Sequence, residues 1–319
     1  MTRLADSAAV RIAESKLTHK QLKITVLSGG PSAEREVSLK SGRAVAAALE
    51  SLGHKVRIAD IAPDSLEALA IPADLVFIAL HGSFGEDGQL QQILERHGIR
   101  YTGSGPEASA LAMDKVAAKY RFIEAEVPTP RFDVVEAGKI DEAMRNWSLP
   151  VVVKPIADGS SVDTTIVRDP AGLRDVLSRM TAKYGRCLVE QYIAGPELTV
   201  GVLRDEPLPP IQIRTRREFY NYEAKYLDED TEYLFDIDLP APTLRLVQDL
   251  SVKAGQALGC RDFCRVDWMV DAVTLQPYCL EINTIPGFTD HSLLPKAAAK
   301  AGIGFAMLCQ RIVESALAR

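Results

Sequence analysis

The residues best equipped for chemistry lie between Arg265 and Ser292, in RVDWMVDAVTLQPYCLEINTIPGFTDHS. Arg265 stands two positions before Asp267, and Glu281 two before Asn283. Between these pairs run Trp268-Met269-Val270 and Tyr278-Cys279-Leu280, with the turn-like Asp271-Ala272 after the first, a hairpin pattern. Side chains alternate along a strand, so each pair shares one face of its own strand. If the strands pair, three oxygen ligands and a guanidinium converge on one surface. Hard oxygen donors suit Mg²⁺, which commonly sits between carboxylates and nucleotide phosphates. The competing reading is a solvated polar face on a half-buried hairpin.

Other segments add matching chemistry. Val151-Val152-Val153-Lys154 is an apolar run ending in a lysine, and the small-residue loop Asp158-Gly159-Ser160-Ser161-Val162 follows it. Such a loop can fold backbone N–H groups over phosphates, and the lysine supplies a point charge. In Cys187–Ile193, the acid Glu190 and the backbone just after it could read an adenine edge. Glu34, taken alone, is an ordinary acid at a helix start. His81, taken alone, reads as a hydrogen-bonded structural histidine. Residues 216–233, charged and rich in tyrosine, lack clean periodicity and read as a surface loop; long loops of this kind are commonly lids.

The elements that must position these residues are legible as patterns. Lys23–Ser28 reads as a buried strand ending in Gly29-Gly30. Val45, Ala48, Leu49 and Leu52 fall at helical spacing, with Gly53 as the stop. Strands follow at 55–61 and 74–80, then a helix carrying Leu90, Ile93, Leu94 and His97. That order predicts a small parallel α/β domain, whose ligands bind beyond the carboxyl ends of the strands. Two polar clusters stand there, 29–34 and 81–88. Neither a G-x-G-x-x-G nor a G-x-x-x-x-G-K-[ST] motif occurs, so dinucleotide and P-loop readings lack their fingerprints. A single helix is expected over 107–126, then a break at Val127-Pro128-Thr129-Pro130. Further helices are expected at 245–258, ended by Gly259, and around Phe305, Leu308, Cys309 and Ile312.

With 319 residues, two or three domains are expected. A hydrophobic share of 47% and a net charge of −6 describe an ordinary globular chain with no basic footprint for nucleic acid. No apolar run reaches membrane-spanning length. The first 20 residues lack a signal-peptide core, and Asp6 and Glu14 speak against a transit peptide, so they read as an N-terminal extension. Five scattered cysteines fit a reducing compartment. Cys260 and Cys264 have no histidine nearby, so no zinc ligand set is read there.

Six stretches in order resemble the motifs of the D-alanine–D-alanine ligases, members of the ATP-grasp superfamily. They are GGPSAEREVSL at 29–39, LHGSFGEDG at 80–88, YTGSG with MDK at 101–115, VKPIADGSSV at 153–162, EAKY at 223–226, and RVDW with EINTIPGFTDHS. The resemblance implies a three-domain architecture, α/β and α+β, that opens with a parallel α/β domain. The boundaries expected are an extension at 1–20, a substrate domain at 21–106, an ATP-binding domain at 107–196, and an ATP-grasp domain at 197–319 with metal site and lid.

The resemblance also implies roles. Lys115 and Lys154 match phosphate-binding lysines, and Glu190, Ile193 and Glu197 match adenine and ribose contacts. Asp267, Glu281 and Asn283 match the ligands of Mg²⁺, two ions being expected with Mn²⁺ as an alternative. Glu34 matches the acid that holds the first D-alanine's ammonium, supported by Ser160 and Tyr226. Lys225 matches a lid lysine that reaches the ATP phosphate. Arg265 matches an oxyanion-stabilising arginine, Ser292 the hydroxyl that takes the second substrate's carboxylate, and His81 a histidine lining the substrate site. The implied activity joins two D-alanines through an acyl phosphate for peptidoglycan precursors. The implied partners are D-alanine and ATP, with no nucleic acid or membrane, in a cytoplasmic homodimer.

Alternatives are a ligase making D-alanyl-D-lactate or using another D-amino acid, and a nucleotide-binding homologue without ligase activity. Tyr226 favours the dipeptide. Three positions depart from the family pattern: Asp163 for the usual glycine, Gln92 for a glycine, and Asn221 for an aspartate. A carboxylate at 163 near ATP would repel it, so the expectation is that Asp163 turns outward.

Overall fold

The run KITVLS forms strand β1 (Lys23–Ser28), flanked in parallel by β2 (Lys55–Asp60) and β3 (Leu75–Ile78) in the order β2-β1-β3. A computed structural model of the chain describes residues 20–157, 159, 162–216, 230–289 and 292–319. Helix α1 (Arg35–Ser51) connects β1 to β2 and buries Val45, Ala48 and Leu49, as the spacing predicts. Gly29 and Gly30 leave β1 with φ of +90° and +78°. A side chain at Gly29 would strike Asp60, so only glycine allows this tight exit. After β3 comes α2 (Gln89–Arg96), with His97 as its C-cap.

The expected single helix over 107–126 is two helices, α3 (Pro106–Met113) and α4 (Lys115–Glu124). Asp114 breaks the run. Its backbone is extended at φ −85°, ψ 100°, and its Oδ1 accepts from the N–H groups of Val116 and Ala117 at 2.9 and 3.0 Å. A capping aspartate stabilises the new helix start at the cost of continuity. The Lys115 N–H then donates to the Ile156 carbonyl at 3.0 Å.

A four-stranded antiparallel sheet follows, built from β4 (Phe132–Glu136), β5 (Val151–Lys154), β6 (Thr165–Val167) and β7 (Arg186–Gln191), in the order β4-β7-β5-β6. Helices α5 (Ile140–Asn146) and α6 (Pro170–Tyr184) cover it with a core around Val151, Val153, Leu177 and Val189.

The third sheet is antiparallel, in the order β11-β10-β8-β12-β13 with β9 paired to β8. Its strands are β8 (Glu197–Leu203), β9 (Glu206–Pro207), β10 (Ile211–Arg214), β11 (Glu232–Leu234), β12 (Phe263–Val270) and β13 (Pro277–Asn283). Residues 217–229 of the expected lid loop lie outside the described residues, but Glu232 and Tyr233 belong to β11, so the loop ends sooner than its composition suggests. Helix α7 (Ala241–Leu258) packs on one face of this sheet. It starts before Arg245 because Pro242 suits a first turn, where its missing N–H has no role. The chain ends with α8 (Leu293–Lys300) and α9 (Phe305–Leu317). Leu308, Ile312 and Val313 of α9 share a core with Ile24 and Val26 of β1 and Leu49 of α1. Among the described residues no helix is long and apolar enough to cross a membrane.

Candidate active site

The hairpin of β12 and β13 forms as the pattern predicts, and the structure supplies its register. Arg265 pairs with Asn283, and Asp267 with Glu281. The turn between the strands is longer than Asp271-Ala272. Asp271 Oδ1 accepts from the N–H groups of Val273 and Thr274 at 3.0 and 2.8 Å. Cys264, Val266, Trp268 and Val270 point into the core against α7, and the Trp268 indole donates to Ser251 Oγ at 2.9 Å. Alternation sends Arg265, Asp267 and Met269 to the other face.

The register shifts next to Asp267, where Asp267 pairs with Glu281 but Trp268 with Cys279, leaving Leu280 as the extra residue of a bulge. Bulges re-aim neighbouring side chains. Here Leu280 and Glu281, adjacent in sequence, both line the same cleft.

That cleft, of about 340 Å³, lies between the four-stranded sheet and the last sheet. Lys115, Lys154, Glu190, Ile193, Glu197, Asp267 and Glu281 all border it. Val152, Ile166, Met269 and Leu280 supply apolar lining. At its polar end the charges are paired in a ladder. Lys115 Nζ lies 3.2 Å from Glu281 Oε2, and Lys154 Nζ 2.9 Å from Glu190 Oε2. Arg265 donates twice to Asp267, at 2.9 and 2.8 Å, and Thr199 Oγ1 donates to Asp267 at 2.6 Å. Asn283 Oδ1 accepts from the Ile285 N–H at 2.9 Å.

Two carboxylates and an amide oxygen on one hairpin face are all hard donors, and Lys115 and Arg265 stand beside the two carboxylates. That donor set fits a divalent cation such as Mg²⁺. Burial by itself would raise the Glu190 carboxyl, but Lys119 and Lys154 outweigh it and hold Glu190 below the usual carboxylate range.

A second cluster stands at the carboxyl ends of β1 and β3. His81 Nε2 is 3.1 Å from Ser41 Oγ, which also accepts from the Phe288 N–H at 3.2 Å. His81 Nδ1 faces the Ile285 carbonyl at 3.1 Å and Glu86 Oε1 at 3.4 Å. A proton on Nδ1 satisfies both neighbours and leaves Nε2 to accept from Ser41. Burial pushes the Glu86 carboxyl up, His81 opposes the shift, and the charge of Glu34 adds to it. Glu34 immediately precedes α1. A Cβ built on Gly159 would come 3.9 Å from Glu34 Oε2, and one on Gly82 3.1 Å from it. The acid of the first domain therefore reaches the small-residue loop of the second. Ser292 occupies the N-cap position of α8 without a side-chain cap and bonds within its own loop, its Oγ lying 3.0 Å from the Thr289 N and 2.9 Å from Thr289 Oγ1.

Asp163 turns away from the cleft. Its backbone is left-handed at φ +53°, and its Oδ2 accepts from Lys183 Nζ and the Tyr184 hydroxyl, each at 2.6 Å. The Lys183 hydrogen bond holds its carboxyl below the ordinary range. Ser160, Asn221, Lys225 and Tyr226 lie outside the described residues.

Sequence reasoning missed Ser41, Glu86, Thr199 and, above all, Lys119. The signal for Lys119 was present: Lys115, Ala118, Lys119 and Phe122 form one stripe at helical spacing, and all four are buried. A lysine on that stripe had to face inward.

Comparison with known proteins gives a consistent result. The chain matches the family model "D-ala D-ala ligase C-terminus" over residues 122–314 and "D-ala D-ala ligase N-terminus" over residues 59–104. It is 45% identical over 302 residues to the D-alanine–D-alanine ligase of Syntrophotalea carbinolica, covering 94% of this chain and 98% of that protein. It resembles the crystal structure of the Bacillus anthracis D-alanine–D-alanine ligase complexed with ATP, with a TM-score of 0.79, 33% identity, and coverage of 93% and 98%. A D-Ala:D-Ser ligase from Enterococcus faecalis superposes with a TM-score of 0.80 at 28% identity, covering 93% and 100%.

Proposed function

We propose a reaction for this cleft from one premise: the chain belongs to the D-alanine–D-alanine ligase family. It joins two D-alanines with ATP to give D-alanyl-D-alanine, ADP and phosphate, a step of peptidoglycan precursor synthesis. A carboxylate resists attack by an amine until one of its oxygens becomes a leaving group. The first D-alanine's carboxylate oxygen takes the terminal phosphoryl group as the bond to ADP breaks. The second D-alanine's amine then attacks the acyl carbon, a proton leaves the nitrogen, and phosphate departs as the amide forms.

The observation that carries this reading is the cleft itself. Lys115 of α4, Lys154 of β5, and Asp267 and Glu281 of the last sheet border one cleft that also has an apolar lining suited to a base. Lys115 and Lys154 meet the phosphates, while Ile193 and Glu197 border the end where base and ribose would lie. Asp267, Glu281 and Asn283 would hold Mg²⁺, which when bound offsets phosphate charge and polarises the phosphoryl oxygens. Glu34 holds the first substrate's ammonium beside Gly159. Arg265, on the same face as Asp267, is placed to meet negative charge that grows on the acyl oxygen in the transition state. Ser292, at the start of α8, takes the second carboxylate, and His81 lines the substrate site. Lys225, Tyr226 and Ser160 complete the lid and loop in this reading, and closure of the lid keeps water from the acyl phosphate.

The test is ADP and phosphate release with D-alanine, L-alanine, D-lactate and D-serine run in parallel, with product identified by mass. D-alanine alone should sustain turnover and give the dipeptide; turnover with D-lactate or D-serine as second substrate would move the chain to another ligase class. The same reading carries a cytoplasmic homodimer, and sedimentation velocity checks the assembly.

A further inference from the structure

Lys119 is the one cation of α4 whose side chain has no exposed surface. Its Nζ lies 2.9 Å from Glu190 Oε1 and donates to Thr129 Oγ1 at 2.6 Å. Thr129 in turn donates to the Cys279 carbonyl at 2.8 Å, two residues before Glu281 on β13. The other oxygen of Glu190 faces Lys154. Lys119 does not border the cleft, so it touches no ligand.

A buried ammonium is costly. A methionine would fill the stripe beside Ala118 and Phe122 without that cost, so packing alone does not account for the lysine. Burial pushes the Lys119 ammonium down from its ordinary value, and Glu190 pulls it back. What the charge achieves is visible in the geometry. One carboxylate between two ammoniums leaves a net positive charge, and Lys119, the buried member, fixes the carboxylate so that the excess falls at Lys154 in the cleft. Through Thr129 the same side chain ties α4 to the strand that carries Glu281. One turn earlier, Lys115 reaches Glu281 directly. Helix α4 thus grips both walls of the cleft with two lysines four residues apart.

We propose that Lys119 is a positioning residue for nucleotide binding, acting through Glu190 on Lys154 and through Thr129 on β13; it rests on the ligase reading above. Without Lys119, Glu190 and Lys154 neutralise each other, and the phosphates meet one positive charge fewer.

The experiment compares wild type with Lys119→Met, which keeps length, and Lys119→Gln, which keeps polarity without charge. ADP affinity with Mg²⁺ is measured by calorimetry, and the KM values for ATP and D-alanine by ADP release, on protein shown to be folded by circular dichroism. Either variant should weaken ADP binding and raise the KM for ATP about tenfold or more, with the KM for D-alanine changed less than twofold. Lys119→Arg, which restores charge, should bring nucleotide affinity back to within about threefold of wild type. Wild-type ADP affinity in a folded Met or Gln variant would overturn the proposal. So would equal losses for ATP and D-alanine, the mark of general structural damage. If wild type binds ADP but makes no dipeptide, the ligase reading fails while Lys119 is still judged by ADP affinity.

Discussion

Glu281 holds two relationships at once: it pairs with Lys115 at 3.2 Å and stands opposite Asp267. Its carboxylate therefore stands between a lysine and the aspartate with which it would share a divalent cation. Glu281→Gln retains the shape but halves the carboxylate charge at the proposed metal site. Turnover is expected to fall at least ~100-fold, the scale of losing one well-placed electrostatic group, with the circular dichroism spectrum unchanged. Mn²⁺ binding followed by electron paramagnetic resonance should weaken in parallel; near-wild-type turnover in a folded variant would remove Glu281 from the site.

The Glu86 carboxyl is raised by burial in the folded chain. A raised acid favours folding while it is protonated, so its contribution is present below the unfolded value and is lost as pH rises through the folded one. Glu86→Gln is neutral at all pH. Its melting temperature should exceed that of wild type at pH 8 and converge with it near pH 4, which a pair of thermal melts would check.

Elements decide how far a residue pattern can be read. That Arg265 and Asp267, and Glu281 and Asn283, share a face was legible because alternation has a period of two; which residues pair across the strands was not read from the sequence. The bulge at Leu280 was not legible, because a bulge leaves no mark when neighbouring residues are apolar and acidic in any case. The break at Asp114 was hidden because Met113 and Lys115 continue the helical composition, while the decisive hydrogen bonds are local to the cap. Lys119 was hidden by its type, although its spacing placed it inside.

Asp163 shows the two levels together. The family's glycine suits a left-handed φ, and this chain keeps that backbone at +53° with an aspartate. Aspartate tolerates the conformation better than most side chains, and Lys183 and Tyr184 give its carboxylate partners outside the cleft. Asp163→Gly should therefore shift the KM for ATP by less than about tenfold, or ~1.4 kcal/mol. Asp163→Ala, which keeps the strain and loses the partners, should be less stable than Asp163→Gly by roughly 1 kcal/mol. Urea midpoints of the two variants check the order, and an alanine variant as stable as the glycine one would contradict the backbone argument.

At the scale of the whole molecule, the site exists only where three sheets meet, and one side chain stands at the junction. Phe288 is fully buried and meets Phe77 of β3 and Phe263 of β12 edge-on, each with ring centroids 5.4 Å apart. Phe305, at the start of α9, lies 6.5 Å away. The Phe288 N–H donates to Ser41 of α1, the serine that also meets His81. This ring thus joins the first sheet to the last and leads into the loop that ends at Ser292. No local pattern in the sequence marks it, because its partners come from segments 17 to 247 residues away.

Removing a buried phenylalanine costs about 3–5 kcal/mol, and here the loss falls on the contact between domains. Both tryptophans, Trp147 and Trp268, lie in the other two cores. Their fluorescence reports on those cores, while circular dichroism follows the whole chain. In Phe288→Ala, urea should unfold the first domain early, so the circular dichroism transition precedes the fluorescence transition by more than in wild type. The KM for D-alanine should rise with it, since the proposed substrate residues Glu34, His81 and Ser292 lie on segments that this junction joins, while the affinity for ADP, proposed to bind between the other two sheets, should hold. Coincident transitions at the wild-type midpoint would show that the first domain is held by α9 alone.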